Sequence, residues 1–361
     1  MDFVPLAGPS ALSKHYNLSV NCVPRLLILS LVAVFAAVVV ALPAEARCQI
    51  GNVVAIPVET ESQQLLTRGA IDGHPVRVLI DTGSSMSFIW RSAAERLGLR
   101  LIGAPRMRMF GLGGESPVDA TFVEELQVEA FTAKGVRVPV AGDVPSDVDF
   151  IFGENFLSRG TVEFDLRHGV VRTMETSGCT PAELPYWAQT YSMADLVASP
   201  RDAQAIRVNV VLNGHTVRAL IDSGSSVSLL TKSVADSVGV HYLSGNAEVV
   251  GIGRRSLQTW IADVQSFELG DERINNTQLQ VAQLGKYQTL ERIGSRIPVA
   301  AGTEPNMLLG MDFLRAHRVL IDNATRKIVF TYEGGPVFQI SKPAESNGAS
   351  SDTAGSDLAR N

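Results

Sequence analysis

Hydrophobic residues along this chain recur with a period of two over short stretches, and Gly, Asn and Asp separate the stretches. Val76-Arg77-Val78-Leu79-Ile80 alternates in this way and is rich in β-branched residues, as is Val208-Asn209-Val210-Val211-Leu212. Short runs of this kind between turn-forming residues predict strands. Residues 161–166 and 169–172 read as one hairpin, and residues 319–322 and 327–330 as its counterpart. Helical patterning is brief. Residues 92–99 carry Ala93, Ala94 and Leu97 with a stop at Gly98, and residues 232–238 run up to Gly239. The expectation is a mostly β protein.

The pattern occurs twice. Residues 73–89 read GHPVRVLIDTGSSMSFI and residues 214–230 read GHTVRALIDSGSSVSLL, identical at 11 of 17 positions without a gap. A second pair follows, Phe110-Gly111-Leu112-Gly113-Gly114 against Val250-Gly251-Ile252-Gly253-Arg254. The third is Phe150-Ile151-Phe152-Gly153-Glu154-Asn155-Phe156-Leu157 against Met307-Leu308-Leu309-Gly310-Met311-Asp312-Phe313-Leu314. The offset is 141 residues at the first landmark, 140 at the second and 157 at the third. The second copy therefore carries about 17 extra residues, placed near 286–304. Three landmarks in one order mark an internal duplication. It predicts an N-terminal lobe at 53–175, a linker at 176–204 and a C-terminal lobe at 205–333, followed by a flexible tail at 334–361 rich in Gly, Ser and Ala.

Composition narrows the field. With 361 residues, 45% of them hydrophobic, the chain can bury one large core or two modest ones, and its length suggests about two domains. A net charge of -6 without a basic block argues against nucleic acid as a partner. Lys14 and Arg25 precede an uncharged apolar run over 26–42, which leads to Ala44-Glu45-Ala46. Residues 1–46 thus read as a signal peptide cleaved after Ala46, with an uncleaved N-terminal anchor as the alternative and the only expected membrane contact. Either reading exports the remainder, to the periplasm or beyond. In such a compartment Cys48 and Cys179 are a candidate disulfide, and two free thiols are the alternative. The Cys and His spacing suggests no metal site, and no cofactor is expected.

Asp81 and Asp222 each follow an apolar strand, in turns where Gly83 and Gly224 admit a close backbone approach. One such turn is ordinary turn chemistry. Two in duplicated surroundings would be brought face to face by a pseudo-twofold axis. Ile-Asp-Thr-Gly-Ser-Ser and Ile-Asp-Ser-Gly-Ser-Ser, each followed by a glycine-rich segment and an apolar-apolar-Gly ending, resemble the retropepsin-like aspartic proteases, here fused in tandem over roughly residues 53–330.

The resemblance implies two homologous acid-protease lobes with the active site between them. Duplication within one chain makes a monomer the expectation, and a dimer whose lobes pair with those of another chain is the alternative. It implies an aspartic endopeptidase in which Asp81 and Asp222 share one proton and activate a water. Thr82, Gly83, Ser84, Ser223, Gly224 and Ser225 support the pair, and the Thr82 and Ser223 hydroxyls lock the two turns together. Ser84 and Ser225 are expected to donate hydrogen bonds to the nearer aspartate, which would favour an acidic working range; turn capping is the alternative. Phe110, Gly111, Leu112 and Gly113, with Val250, Gly251, Ile252 and Gly253, resemble flap tips that close over a polypeptide substrate in extended form. The rival reading is a silent peptide-binding or scaffold protein of the same fold, which both intact turns argue against. The linker's Tyr186 and Trp187 read as apolar cover on a lobe, or else as a partner surface.

Overall fold

Both copies of the repeat build the same sequence of elements because both present the same alternation of faces. The computed structural model describes residues 47–59, 63–143, 146–197, 205–243, 247–249, 257–284, 289–292 and 306–338. The expected leader and flexible tail lie outside the described residues, except for 334–338, as does the second flap tip, Val250 to Gly253.

In chain order the first copy comprises β1 (Gln49–Pro57), β2 (Leu66–Ile71), β3 (His74–Ile80), β4 (Phe88–Trp90), α1 (Arg91–Arg96), β5 (Ile102–Gly111), β6 (Gly114–Val128), β7 (Phe131–Ala141), β8 (Phe150–Phe152), α2 (Glu154–Leu157), β9 (Thr161–Asp165) and β10 (Val170–Ser177). After it come β11 (Ser192–Asp195), β12 (Arg207–Leu212), β13 (His215–Ile221), β14 (Leu229–Thr231), α3 (Lys232–Ser237), β15 (His241–Tyr242), β16 (Ala247–Val249), β17 (Leu257–Leu269), β18 (Glu272–Ala282), β19 (Thr289–Arg292), β20 (Met307–Leu309), α4 (Met311–Ala316), β21 (His317–Asp322) and β22 (Lys327–Tyr332). Among the described residues no helix is long and apolar enough to cross a membrane.

Each lobe has its own sheet, ordered β19-β5-β6-β2-β3-β8-β4-β7 in the first and β12-β13-β20-β14-β18-β17-β15 in the second, where β16 also pairs with β17. The hairpins β2–β3 and β12–β13 turn on Asp72-Gly73 and Asn213-Gly214, all four with positive φ (49°, 79°, 49° and 81°). A two-residue hairpin turn of this hand requires that conformation, which Asn, Asp and Gly tolerate best. The strand that ends at each acidic turn then pairs in parallel with the apolar-apolar-Gly strand, Ile80 with Phe152 and Ile221 with Leu309. That pairing buries both strands and fixes where each turn emerges.

A third sheet joins the lobes, in the order β1-β10-β9-β21-β22-β11. At its centre Val162 faces Ile321 and Phe164 faces Val319. Under the 157-residue offset, Val162 corresponds to Val319 and Phe164 to Ile321, so a twofold rotation exchanges the two pairs. The duplication is thus expressed as a pseudo-twofold axis between β9 and β21. All four side chains are fully buried, and they belong to one hydrophobic core that runs through both lobes.

Two details differ from the sequence expectation. The helix at 92–99 is shorter and starts earlier, at Arg91–Arg96, with Leu97 as its C-cap. The linker is not merely a connector: β11 pairs with β22 as β1 pairs with β10, so residues 192–195 supply the second lobe's outer strand.

Candidate active site

The apolar strand β3 ends at Ile80 and β13 at Ile221, and the next residue in each case is an aspartate. The Asp81 amide donates to Phe152 O at 3.0 Å and the Asp222 amide to Leu309 O at 2.8 Å. These bonds tie each turn to its buried neighbouring strand. Asp81 is 3% exposed and Asp222 fully buried. Oδ1 of Asp81 accepts from the amides of Gly83 (2.9 Å) and Ser84 (3.0 Å), and Oδ1 of Asp222 from that of Gly224 (3.0 Å).

The fold brings the two carboxyl groups together. They share a side-chain hydrogen bond. Each also lies against the other lobe's glycine: a Cβ on Gly83 would collide with the Asp222 carboxyl group, and one on Gly224 with that of Asp81. Glycine is therefore needed at both positions for contact, apart from any demand of the turn itself. Burial pushes Asp81 well above the usual carboxylate range, and the charge and hydrogen bond of Asp222 add to the rise, against the lowering effect of the Gly83 and Ser84 amides.

The expected lock between the turns is present and reciprocal. Thr82 Oγ1 donates to Ile221 O (2.8 Å) and accepts from the Ser223 amide (3.0 Å). Ser223 Oγ donates to Ile80 O (2.8 Å) and accepts from the Thr82 amide (3.0 Å). Serine in place of threonine loses only a methyl group, and the four bonds survive.

The expected donation from Ser84 and Ser225 to the aspartates does not occur. Their hydroxyls turn to Met86 O (2.9 Å) and Val227 O (2.8 Å) and cap the turns. Backbone amides do the donating instead, because a tight turn already points them at the carboxylate. The basis for an acidic working range through those hydroxyls falls away.

A further layer escaped the sequence reading. Ser87 donates from both N and Oγ to Asn155 Oδ1 (2.8 Å each), and its Oγ accepts from the Gly153 amide (2.8 Å). Ser228 does the same with Asp312, at 2.9 and 2.6 Å, and accepts from the Gly310 amide at 3.0 Å. These contacts pin the far side of each acidic turn to α2 and α4. Identity of Ser87 and Ser228 within the 17-residue repeat was the available signal.

Of the flap residues, Phe110 and Gly111 end β5, and Leu112 and Gly113 form the turn into β6. Gly111 pairs with Gly114 and Phe110 with Glu115. Leu112 reaches the second lobe and packs on the buried cluster of Leu220, Val227, Leu229 and Leu308. In the first lobe the corresponding wall is Leu79, Phe88, Met109 and Ile151. Cys48 and Cys179 are joined as a disulfide that ties the start of β1 to the end of β10. Among the described residues no group of three or more His, Cys, Asp or Glu is placed to hold a metal ion.

A pseudo-symmetric pair of β lobes with locked acidic turns at their junction defines the retropepsin-like aspartyl proteases as a class of protein. The sequence matches the family described as aspartyl protease twice, over residues 67–156 and 208–313, and the chain belongs to that family. Among curated relatives, DNA damage-inducible protein 1 of Cryptococcus neoformans is 28% identical over 126 residues, covering 34% of this chain and 24% of that protein. The UBA domain-containing protein Mud1 of Schizosaccharomyces pombe is 29% identical over 120 residues, 32% of this chain and 30% of that protein. The similarity spans about a quarter to a third of the length of these relatives.

Proposed function

We propose that this chain is an exported aspartic endopeptidase that cleaves extended polypeptides with a water activated between Asp81 and Asp222. One observation carries the reading: two buried carboxyl groups from duplicated turns in direct hydrogen-bonded contact. Like charges at that separation cannot both be ionised, so the pair holds one proton over an intermediate pH range. The ionised member takes a proton from the water as it attacks the scissile carbonyl, while the protonated member hydrogen-bonds the carbonyl oxygen as charge develops on it. Its proton then passes to that oxygen; the proton taken from the water goes to the amide nitrogen, the C–N bond breaks to release the amine, and a hydroxyl proton of the intermediate returns to the pair. The pair works as a unit, and its titration belongs to both members.

Buried apolar clusters on the strands beside the two turns, with Leu79, Phe88 and Ile151 in one lobe and Leu220, Leu229 and Leu308 in the other, favour apolar residues beside the scissile bond. The Cys48–Cys179 disulfide suits an oxidising compartment, in keeping with the leader. The test is cleavage of a denatured protein by the purified chain. Wild type should cleave, sensitive to an aspartic-protease inhibitor, and Asp81→Asn or Asp222→Asn should each lose about 10²- to 10⁴-fold in kcat. Equal cleavage by wild type and either variant sinks the proposal. Binding of unfolded polypeptide without cleavage by any form would point to the peptide-binding alternative.

A further inference from the structure

The strand β19 comes from the extra residues of the second copy, yet it pairs with the first lobe. Thr289, Leu290, Glu291 and Arg292 lie antiparallel to Phe110, Met109, Arg108 and Met107 of β5. Those β5 residues lead straight into the flap tip, whose Leu112 touches the second lobe. β19 therefore forms the edge of the first-lobe sheet, next to the strand that leads into the flap tip. The opposite edge of β5 is taken by β6. Among the described residues the corresponding second-lobe strand, β16, pairs with β17 and carries no such strand on its outer side.

A flap binds an extended polypeptide through its backbone, and one strand edge offers one row of N–H and C=O groups. On β5 that row is already in use. We propose that β19 is an internal occupant of the track an extended substrate would take along the first flap, so that the chain restrains its own active site until substrate displaces this strap. The inference rests on the protease reading for its consequence, though not for the displacement itself. It gives the second-lobe insertion a role, and it makes the two halves of the cleft unequal: a substrate meets a strapped edge on the first lobe.

Two neighbouring strand residues direct their N–H groups to opposite sides. Leu290→Pro combined with Glu291→Pro thus removes a β19 donor to β5 whichever of the two supplies it. An extended fluorogenic peptide with apolar residues at its centre serves as probe, in cleavage by this variant and in binding to the variant carrying Asp222→Asn. If the strap competes, releasing it lowers KM and the peptide Kd about tenfold while kcat changes little, since apparent affinity scales with the fraction of open molecules. A variant pair Arg108→Cys and Glu291→Cys, at facing positions, should lose peptide binding when oxidised and regain it on mild reduction, with each single variant as control. Unchanged or weaker peptide binding in the proline variant overturns the inference, as does full binding by the oxidised cysteine pair. Tighter binding by the proline variant with no cleavage by any active-site form would keep the strap and discard the protease reading.

Discussion

At Asp81, burial disfavours the charged carboxylate and Asp222 disfavours it further, while the amides of Gly83 and Ser84 partly offset both. An aspartate whose folded pKa lies above its unfolded value binds a proton more tightly in the folded state. Its contribution to stability is complete below about pH 4 and is lost as pH rises toward the folded value. Asn keeps the Oδ1 acceptor that the two amides use and carries no charge. Asp81→Asn should therefore melt at a higher temperature than wild type at pH 7, with the gap closing as pH falls below about 4. Calorimetry across that range checks it, and a gap independent of pH would contradict the raised titration. Much at this scale was legible in the sequence, since the two aspartates, their glycines and the locking hydroxyls all sit in one repeated string. The direction of the Ser84 and Ser225 hydroxyls was not. A serine in a turn has several acceptors in reach, and only backbone geometry selects among them.

The central strands β9 and β21 carry Asp165 and Asp322 at equivalent positions, both buried, and each is satisfied differently. Asp322 accepts from Thr161 and Thr176 of the first lobe and from Thr325. Burial by itself raises both carboxyl groups. Hydrogen bonds from His168 and Arg172, with the charge of Arg318, outweigh it at Asp165, and the threonine hydroxyls do so at Asp322. Both end below the ordinary carboxylate range, so their stabilisation is present above the unfolded pKa and is lost as pH falls through the folded values. Between them sits Glu163, fully buried, which accepts from Arg318 Nε (2.7 Å), Arg172 Nη1 (3.2 Å) and the Tyr186 hydroxyl (2.6 Å). Arg318 also lies 4.6 Å from the centre of the Trp187 ring. Tyr186 and Trp187 thus lie against Glu163 and Arg318 of the shared sheet, with Tyr186 itself 53% exposed. Arg318→Ala leaves Glu163 buried with less compensation and should cost roughly 3–5 kcal/mol in urea unfolding. It should also move the onset of acid unfolding to higher pH, because Asp165 loses a counter-charge. None of this network was legible, since its members come from four separate segments that only the sheet assembles.

Across the whole molecule, one disulfide and one shared sheet hold a duplicated chain to a single geometry. The Cys48–Cys179 bridge closes 131 residues of chain around the first lobe, and Cys48→Ser should lower stability by roughly 2–4 kcal/mol while cleavage per folded molecule stays near wild type, read by calorimetry and initial rates. β1 pairs with β10 without the bridge, so the fold itself should persist. The sequence by itself determined that there are two lobes, where each acidic turn falls, and which strands flank it. Period-two alternation and repeated motifs are local properties, carried by neighbouring residues and copied with the gene segment. The tertiary structure alone decided that residues 192–195 supply the second lobe's outer strand, that two buried aspartates at equivalent positions take different partners, and that residues 289–292 of the second copy pair with the first flap strand. Such pairings join segments far apart in the chain, and a strand edge accepts any extended backbone that packing delivers to it. No local pattern names the partner.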